Sequence, residues 1–214
     1  GGGAAGMAAA VFAAAEGCRV HIFEKNDRFG KKLFITGKGR CNFTNVCSAE
    51  ELLNNVVSNP RFMYSAFSDF SGIDAVDFFE SLGVRTKTER GRRAFPASDH
   101  SSDIIRALID AMHDRGVIPH LNTEVKELII DEEGVKGIVL PDGKKLFADA
   151  VIAATGGLSY PSTGSTGDGY RMAREAGLKV TELRPALVPL ECEEEYVKEL
   201  QGLSLKNVVF TVKQ

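Results

Sequence analysis

Residues 7–16 form a short apolar run of small, strongly helix-forming side chains, Met7-Ala-Ala-Ala-Val-Phe-Ala-Ala-Ala-Glu16, closed by Gly17. Arg19–Glu24 then alternates with a period of two and carries β-branched residues, which predicts a strand with an acid at its carboxyl end. Helical spacing returns over residues 50–82. There Phe62, Phe67, Phe70, Val76, Phe78, Phe79 and Leu82 supply apolar faces expected in the core, with breaks at Pro60 and Gly72. Val84–Pro96 reads as a small antiparallel excursion. Ser101–Gly116 is an amphipathic helix with Ser101 as its cap and Ile104, Ile105, Leu108, Ile109 and Met112 on one face.

The second half returns to period two. A strand is expected at Val117–Leu121, followed by a meander of Leu128–Asp131, Gly134–Leu140 and Lys144–Phe147 separated by Gly and Pro-Asp-Gly turns. Asp149–Gly157 is a short apolar run of the kind buried in a parallel sheet. A helix over Tyr170–Ala176 follows, with Asp168 at the cap position and Gly177 at its end. After Leu178 the pattern turns to β-type segments and an acidic patch, Glu191–Glu195, and a strand pattern closes the chain at 207–214. The elements predict an α/β chain: a Rossmann-like domain over 1–177, its parallel sheet carrying an inserted β-meander, and the beginning of a β-rich substrate domain over 178–214.

Composition narrows the class. The 214 residues are 43% hydrophobic and 26% charged, enough to bury a sizeable core. A net charge of -3 disfavours nucleic acid and membrane surfaces as partners and favours a small-molecule substrate. Cys18, Cys41, Cys47 and Cys192 form neither a C-x-x-C pair nor a disulfide framework, and the apolar run near the start is too short to span a bilayer. A cytoplasmic location is expected, and no metal site.

The chemistry is concentrated at the beginning. Gly1-Gly-Gly-Ala-Ala-Gly6 has the G-x-G-x-x-G spacing, and the order of glycine turn, helix, strand and acid is that of a βαβ dinucleotide unit. Gly1 would make the tight bend, Gly3 would admit a pyrophosphate to the backbone, and Gly6 would let helix and strand pack closely. Glu24 lies eighteen residues after Gly6, placed to accept both hydroxyls of an adenosine ribose and to disfavour a 2′-phosphate. Because such a turn is delivered by a strand, one is expected before Gly1, and the chain reads as cut at both ends.

The loop from Asn26 to Asn45 is the second clue. Lys25, Arg28, Lys31, Lys32, Lys38 and Arg40 face one acid, Asp27, and would concentrate positive charge beside the pyrophosphate, with Gly37 and Gly39 giving close backbone access. Without interleaved aromatics for stacking bases, a cofactor accounts for the loop better than nucleic acid does. Cys41 and Cys47 are separated by five residues, so Cys41 reads as a small residue in a pocket rather than half of a redox pair. Thr155-Gly-Gly157 offers a further close approach of backbone, and Asp168 a helix start.

Three segments, Thr36-Gly-Lys-Gly-Arg-Cys-Asn-Phe-Thr-Asn45, Ala154-Thr-Gly-Gly157 and Tyr160-Pro-Ser-Thr-Gly-Ser-Thr-Gly-Asp-Gly-Tyr170, together resemble the BaiN/RdsA-type, or aminoacetone-oxidase-like, NAD(P)/FAD-dependent oxidoreductases. The last two are also similar to those of fumarate-reductase and aspartate-oxidase flavoproteins. The resemblance implies a longer protein in which a substrate domain interrupts an FAD domain. It implies FAD held by Gly1, Gly3 and Gly6 at the pyrophosphate, Glu24 at the ribose and the Val125 backbone at adenine, with Ala5 and Lys25 also among the cofactor-binding residues. Lys32, Gly39, Arg40, Cys41 and Asn42 would lie near the pyrophosphate or flavin, with Thr155, Gly156, Gly157 and Asp168 completing the pocket. The expected activity is hydride transfer between flavin and a small organic substrate with NAD(P)H as transient donor, no catalytic acid or base being assigned. An NAD-only dehydrogenase and a non-catalytic flavin-binding or RNA-associated module are the alternatives.

Overall fold

A computed structural model describes residues 1–185, 191–205, 208, 209 and 211. The chain divides into two units, Gly1–Val180 and Thr181–Gln214.

The first unit opens with α1 (Ala4–Ala15), followed by β1 (His21–Phe23) and a short α2 (Lys31–Ile35) that runs into a 3-10 turn over Thr36–Gly39. Next come β2 (Thr44–Asn45), α3 (Ala49–Asn54), a 3-10 turn at Pro60–Met63, α4 (Tyr64–Asp69) and α5 (Gly72–Ser81). The hairpin β3 (Thr86–Glu89) and β4 (Arg93–Pro96) leads to α6 (Ser101–Asp114) and β5 (Ile118–His120). The meander is β6 (Glu127–Asp131), β7 (Gly134–Val139) and β8 (Lys145–Phe147), and α7 (Asp168–Glu175) follows.

The described residues form three sheets. β1 and β5 pair in parallel, with Phe23 opposite His120; β2, β4 and β3 form an antiparallel sheet in that order; β6, β7 and β8 form another, with a bulge at Ile129/Ile130. α1 and α6 cover the parallel pair on one face. Met7 and Val11 of α1, Ile22 of β1 and Leu108 and Met112 of α6 are buried together with Phe29 and Val117. Each such side chain contributes about 1.5–3 kcal/mol on burial, so this layer fixes the strand ends on which Glu24 and residues 122–125 sit.

The structure departs from the sequence pattern at several points. Residues 149–157 make no strand among the described residues: the carbonyl of Ala154 lies beside Gly1 rather than in a ladder, and Ile152 is 66% exposed. Phe62 lies in the 3-10 turn at Pro60–Met63 and is 80% exposed, whereas Phe70 and Phe78 pack around Phe12 of α1. Ser101 lies inside α6, and its buried hydroxyl donates to the Phe34 carbonyl, leaving His100 at the cap position. The described residues of the second unit contain a 3-10 segment at Glu195–Leu200 and no strand; residues 207, 210 and 212–214 of the strand pattern near the end lie outside the described residues.

Candidate functional site

The site begins at the turn before α1. A Cβ on Gly1 would stand 2.3 Å from the Ala154 carbonyl oxygen, and one on Gly6 only 1.8 Å from the carbonyl oxygen of Gly1. Both positions therefore require glycine for close packing of turn, helix and the 149–157 segment. Gly3 is different: a Cβ there would meet nothing within 4 Å. Gly3 occupies the cap position of α1 with no side-chain cap, and no acid lies in the first turn, which includes Ala5. The peptide N–H groups and the positive end of the helix dipole thus face open space, the arrangement that receives a phosphate.

Glu24 follows β1 and is 8% exposed. Its Oε2 accepts the Gly2 N–H at 2.7 Å, and its Oε1 accepts the Asn26 N–H and the Asn26 amide at 2.8 and 2.6 Å. Its backbone carbonyl accepts the Thr123 N–H at 2.9 Å, which brings residues 122–125 beside it. Among the described residues the peptide N–H and carbonyl of Val125 have no hydrogen-bond partner; one residue on, Arg171 of α7 donates to the Lys126 carbonyl at 2.8 Å.

The far wall comes from the two glycine-rich segments. Gly156 is left-handed (φ +75), and a Cβ there would stand 2.8 Å from the Ser165 hydroxyl. A Cβ on Gly169 would stand 2.6 Å from the Thr155 hydroxyl, and Gly167 donates to the Gly157 carbonyl at 3.2 Å. Asp168 is the first residue of α7 and not its cap, which is Gly167 in a left-handed conformation. Its carboxylate instead accepts Lys25 Nζ at 2.7 Å and the Thr166 hydroxyl at 3.0 Å. Burial alone would raise the Asp168 carboxyl, but these bonds outweigh it and hold the group below the usual aspartate value. Beside Lys25 and Asn26 an open groove of about 760 Å³ runs between residues 122–124, residues 140–142 and the segment from Pro161 to Thr166, and its lining does not include the glycines before α1 or Glu24.

The structure thus gathers Gly1, Gly3, Ala5, Gly6, Glu24, Lys25, Val125, Thr155, Gly156, Gly157 and Asp168 about one turn and its neighbouring walls. Gly39, Arg40, Cys41 and Asn42 belong to a different network. Gly37, Lys38, Gly39 and Cys41 are all left-handed, and the Asn42 amide donates to the Thr44 and Ala94 carbonyls. The Arg40 guanidinium binds Glu89 and Asp99 and lies 4.3 Å from the centre of the Phe95 ring. Those bonds hold both carboxyls below their usual values, Arg40 acting first on Glu89, and Lys87 first on Asp99.

The positive charge expected beside the pyrophosphate is therefore reduced by about half: Lys25, Lys31 and Arg40 pair with Asp168, with Asp27, and with Glu89 and Asp99, respectively, while Arg28 and Lys38 have no acidic partner among the described residues. Lys32 is partly buried on α2 and has no acidic partner among the described residues. Cys41 is fully buried, which pushes its thiol up, and all four cysteines are free. Pattern reading missed Asn26, Thr166 and Gly2, whose partners are far off in sequence or set by a backbone approach.

Residues 1–211 match the family model described as the HI0933-like protein Rossmann domain. The chain belongs to this HI0933-like Rossmann family. Membership agrees with the resemblance to BaiN/RdsA-type flavoproteins read from residues 36–45, 154–157 and 160–170. Among relatives, the chain is 33% identical over 205 residues to a 3-dehydro-bile acid delta(4,6)-reductase of Clostridium scindens, covering 95% of this chain and 49% of the relative. It is 31% identical over 212 residues to a ribosomal RNA dihydrouridine synthase of Escherichia coli, covering 98% and 52%. The chain thus spans about half the length of the curated relatives it matches. Among solved structures, a flavocytochrome c3 fumarate reductase superposes with a TM-score of 0.59 at 25% identity, covering 82% of this chain and 37% of the other. The HI0933-like chain accordingly has the Rossmann-like architecture of FAD-binding domains. Among its described residues no helix is long and apolar enough to cross a membrane, and no three metal-ligating side chains cluster.

Proposed function

We propose that this chain is the FAD-binding part of an oxidoreductase that saturates a carbon–carbon double bond conjugated to a carbonyl group. The observation that carries the cofactor assignment is the uncapped start of α1 at Gly3, open to solvent, beside the buried Glu24 carboxylate. The residues fit the group. The helix start and its N–H donors suit a pyrophosphate. Glu24 retains acceptor capacity for a ribose, and the unpartnered Val125 peptide suits the polar edge of adenine.

In this reading Gly1 and Gly6 shape the turn, Gly3 and Ala5 present backbone to the phosphates, and Lys25 and Asp168 lock the strand end to the start of α7. Thr155, Gly156 and Gly157 form the facing wall. Lys32, Gly39, Arg40, Cys41 and Asn42 are assigned to the flavin end, where Gly39 has open space at its Cα and Arg40 is neutralised by Glu89 and Asp99. When bound, FAD supplies hydride transfer at its flavin N5. The chain's own residues orient it, and no side chain is assigned as acid or base.

The substrate class comes from the relatives. A delta(4,6)-reductase of a 3-oxo steroid and a synthase of dihydrouridine carry out the same bond change, addition of two hydrogens across a C=C conjugated to C=O. The carrier differs, so a free small molecule and an RNA-borne uracil are both candidates, and NAD(P)H is the proposed electron source. The test is the visible spectrum of the chain purified with and without added FAD, then with NADH or NADPH. A bound flavin band bleached by a nicotinamide and reoxidised by an enone or by uridine-containing RNA supports the reading. Failure to retain flavin after reconstitution overturns it.

A further inference from the structure

We propose that Asn26 is a positioning residue that orients the Glu24 carboxylate and restricts it to one ligand hydroxyl. The inference rests on the dinucleotide reading above. A carboxylate offers about four lone-pair sites. The chain fills three of them: the Gly2 N–H on Oε2, and the Asn26 N–H and side-chain amide, both on Oε1. The remaining site is on Oε2, so Glu24 as held here accepts one ribose hydroxyl rather than the two that spacing suggested.

The asparagine amide is suited to this position because it both donates and accepts. Its Nδ2 also donates to the Thr163 carbonyl at 3.1 Å, and its Oδ1 accepts Lys31 Nζ at 3.2 Å. Its backbone carbonyl accepts the Asn122 N–H at 2.9 Å. Asn26 therefore ties the acid to the glycine-rich wall and to the segment leading to Val125. The facing wall is shaped around it: Gly164 is left-handed, and a Cβ there would stand 2.6 Å from the Asn26 amide nitrogen. An aspartate would keep the shape but lose the donor and set two carboxylates within hydrogen-bond distance, where they cannot both ionise cheaply.

The test is titration of ADP and FAD into the chain and its Asn26→Ala and Asn26→Asp variants from pH 5 to 8, with circular dichroism reporting the fold. Asn26→Ala is expected to lose about tenfold in affinity for both ligands, the loss of one charge-assisted orienting contact. Asn26→Asp is expected to bind nearly as the parent at pH 5, where a proton shared by the two carboxyl groups restores the donor, and to weaken about tenfold by pH 8. A merely structural role would not produce that pH dependence. In the parent, 2′-deoxy-ADP and 3′-deoxy-ADP should differ, one matching ADP and the other weaker. Equal losses for both would overturn the single-hydroxyl assignment, and a pH-independent Asn26→Asp with parental affinity would overturn the positioning role. Failure of the parent chain to bind either ADP or FAD would instead refute the dinucleotide reading on which the proposal stands.

Discussion

Gly3 and Gly6 belong to the same motif, and the structure predicts opposite consequences for the same substitution. In Gly6→Ala the new methyl would stand 1.8 Å from a backbone oxygen, and backbone cannot swing aside as a side chain can. The turn or α1 must retreat, at a cost of about 1–3 kcal/mol or more for overpacking, against which the better helix propensity of alanine recovers at most about 1 kcal/mol. In Gly3→Ala the methyl meets nothing, and the backbone there is extended (φ -81, ψ -170), a conformation open to any residue. Its stability cost is about 1 kcal/mol or less, from the cap preference. The methyl does occupy the space through which a phosphate would reach the helix start. Losing one charge-assisted hydrogen bond costs about 1.5–3 kcal/mol, a loss of roughly 10- to 100-fold in affinity. The assay pairs chemical denaturation with flavin fluorescence titration. Gly3→Ala should melt close to the parent yet bind FAD at least tenfold more weakly, and Gly6→Ala should lose both. A Gly3→Ala variant that binds FAD as tightly as the parent would refute the placement of the pyrophosphate.

Three further outcomes are expected. The Lys25–Asp168 bond depresses a carboxyl, so its stabilisation is complete above the ordinary aspartate value and fades as pH falls through the lower folded value; Asp168→Asn should show a shallower acid limb in pH-dependent melting. His120, hydrogen-bonded ring to ring with His21 at 2.9 Å and stacked on Phe23, has its imidazole pushed down first by burial and then by His21 and Lys144. The unfolded chain then binds more protons just below the ordinary value of 6.5, so stability falls as pH drops through that window; His120→Phe should flatten it, and an unchanged slope would refute the coupling. With a thiol reagent under native conditions, Cys18 and Cys192 should react at once, and Cys41, fully buried with its thiol pushed up, only on unfolding.

What the sequence by itself determined was local: the helix of α1, the alternation of β1, the amphipathic α6, the meander with its Pro-Asp-Gly turn, and the spacing of Gly1, Gly3, Gly6 and Glu24. Each follows from periodicity or from one residue's backbone freedom, so neighbours in sequence suffice to show it. The placement of Ser101 and Asp168 was misread at this level, since a hydroxyl or carboxyl near a helix start suits a cap unless a distant partner claims it. Here Phe34 and Lys25 do so.

Only the tertiary structure decided which charges remain available. The basic loop looked like a phosphate receptor because its neutralising partners, Asp168, Glu89 and Asp99, lie well beyond it in sequence. Electrostatic pairing depends on distance in space, and no periodicity encodes it. The same holds for Asn26, whose link to Thr163 spans 137 residues and whose importance appears only once the wall at Gly164 is folded against it. Steric need for glycine divides in the same way: the motif marked Gly1, Gly3 and Gly6 alike, and packing alone shows that Gly1 and Gly6 are pressed against backbone while Gly3 is left open.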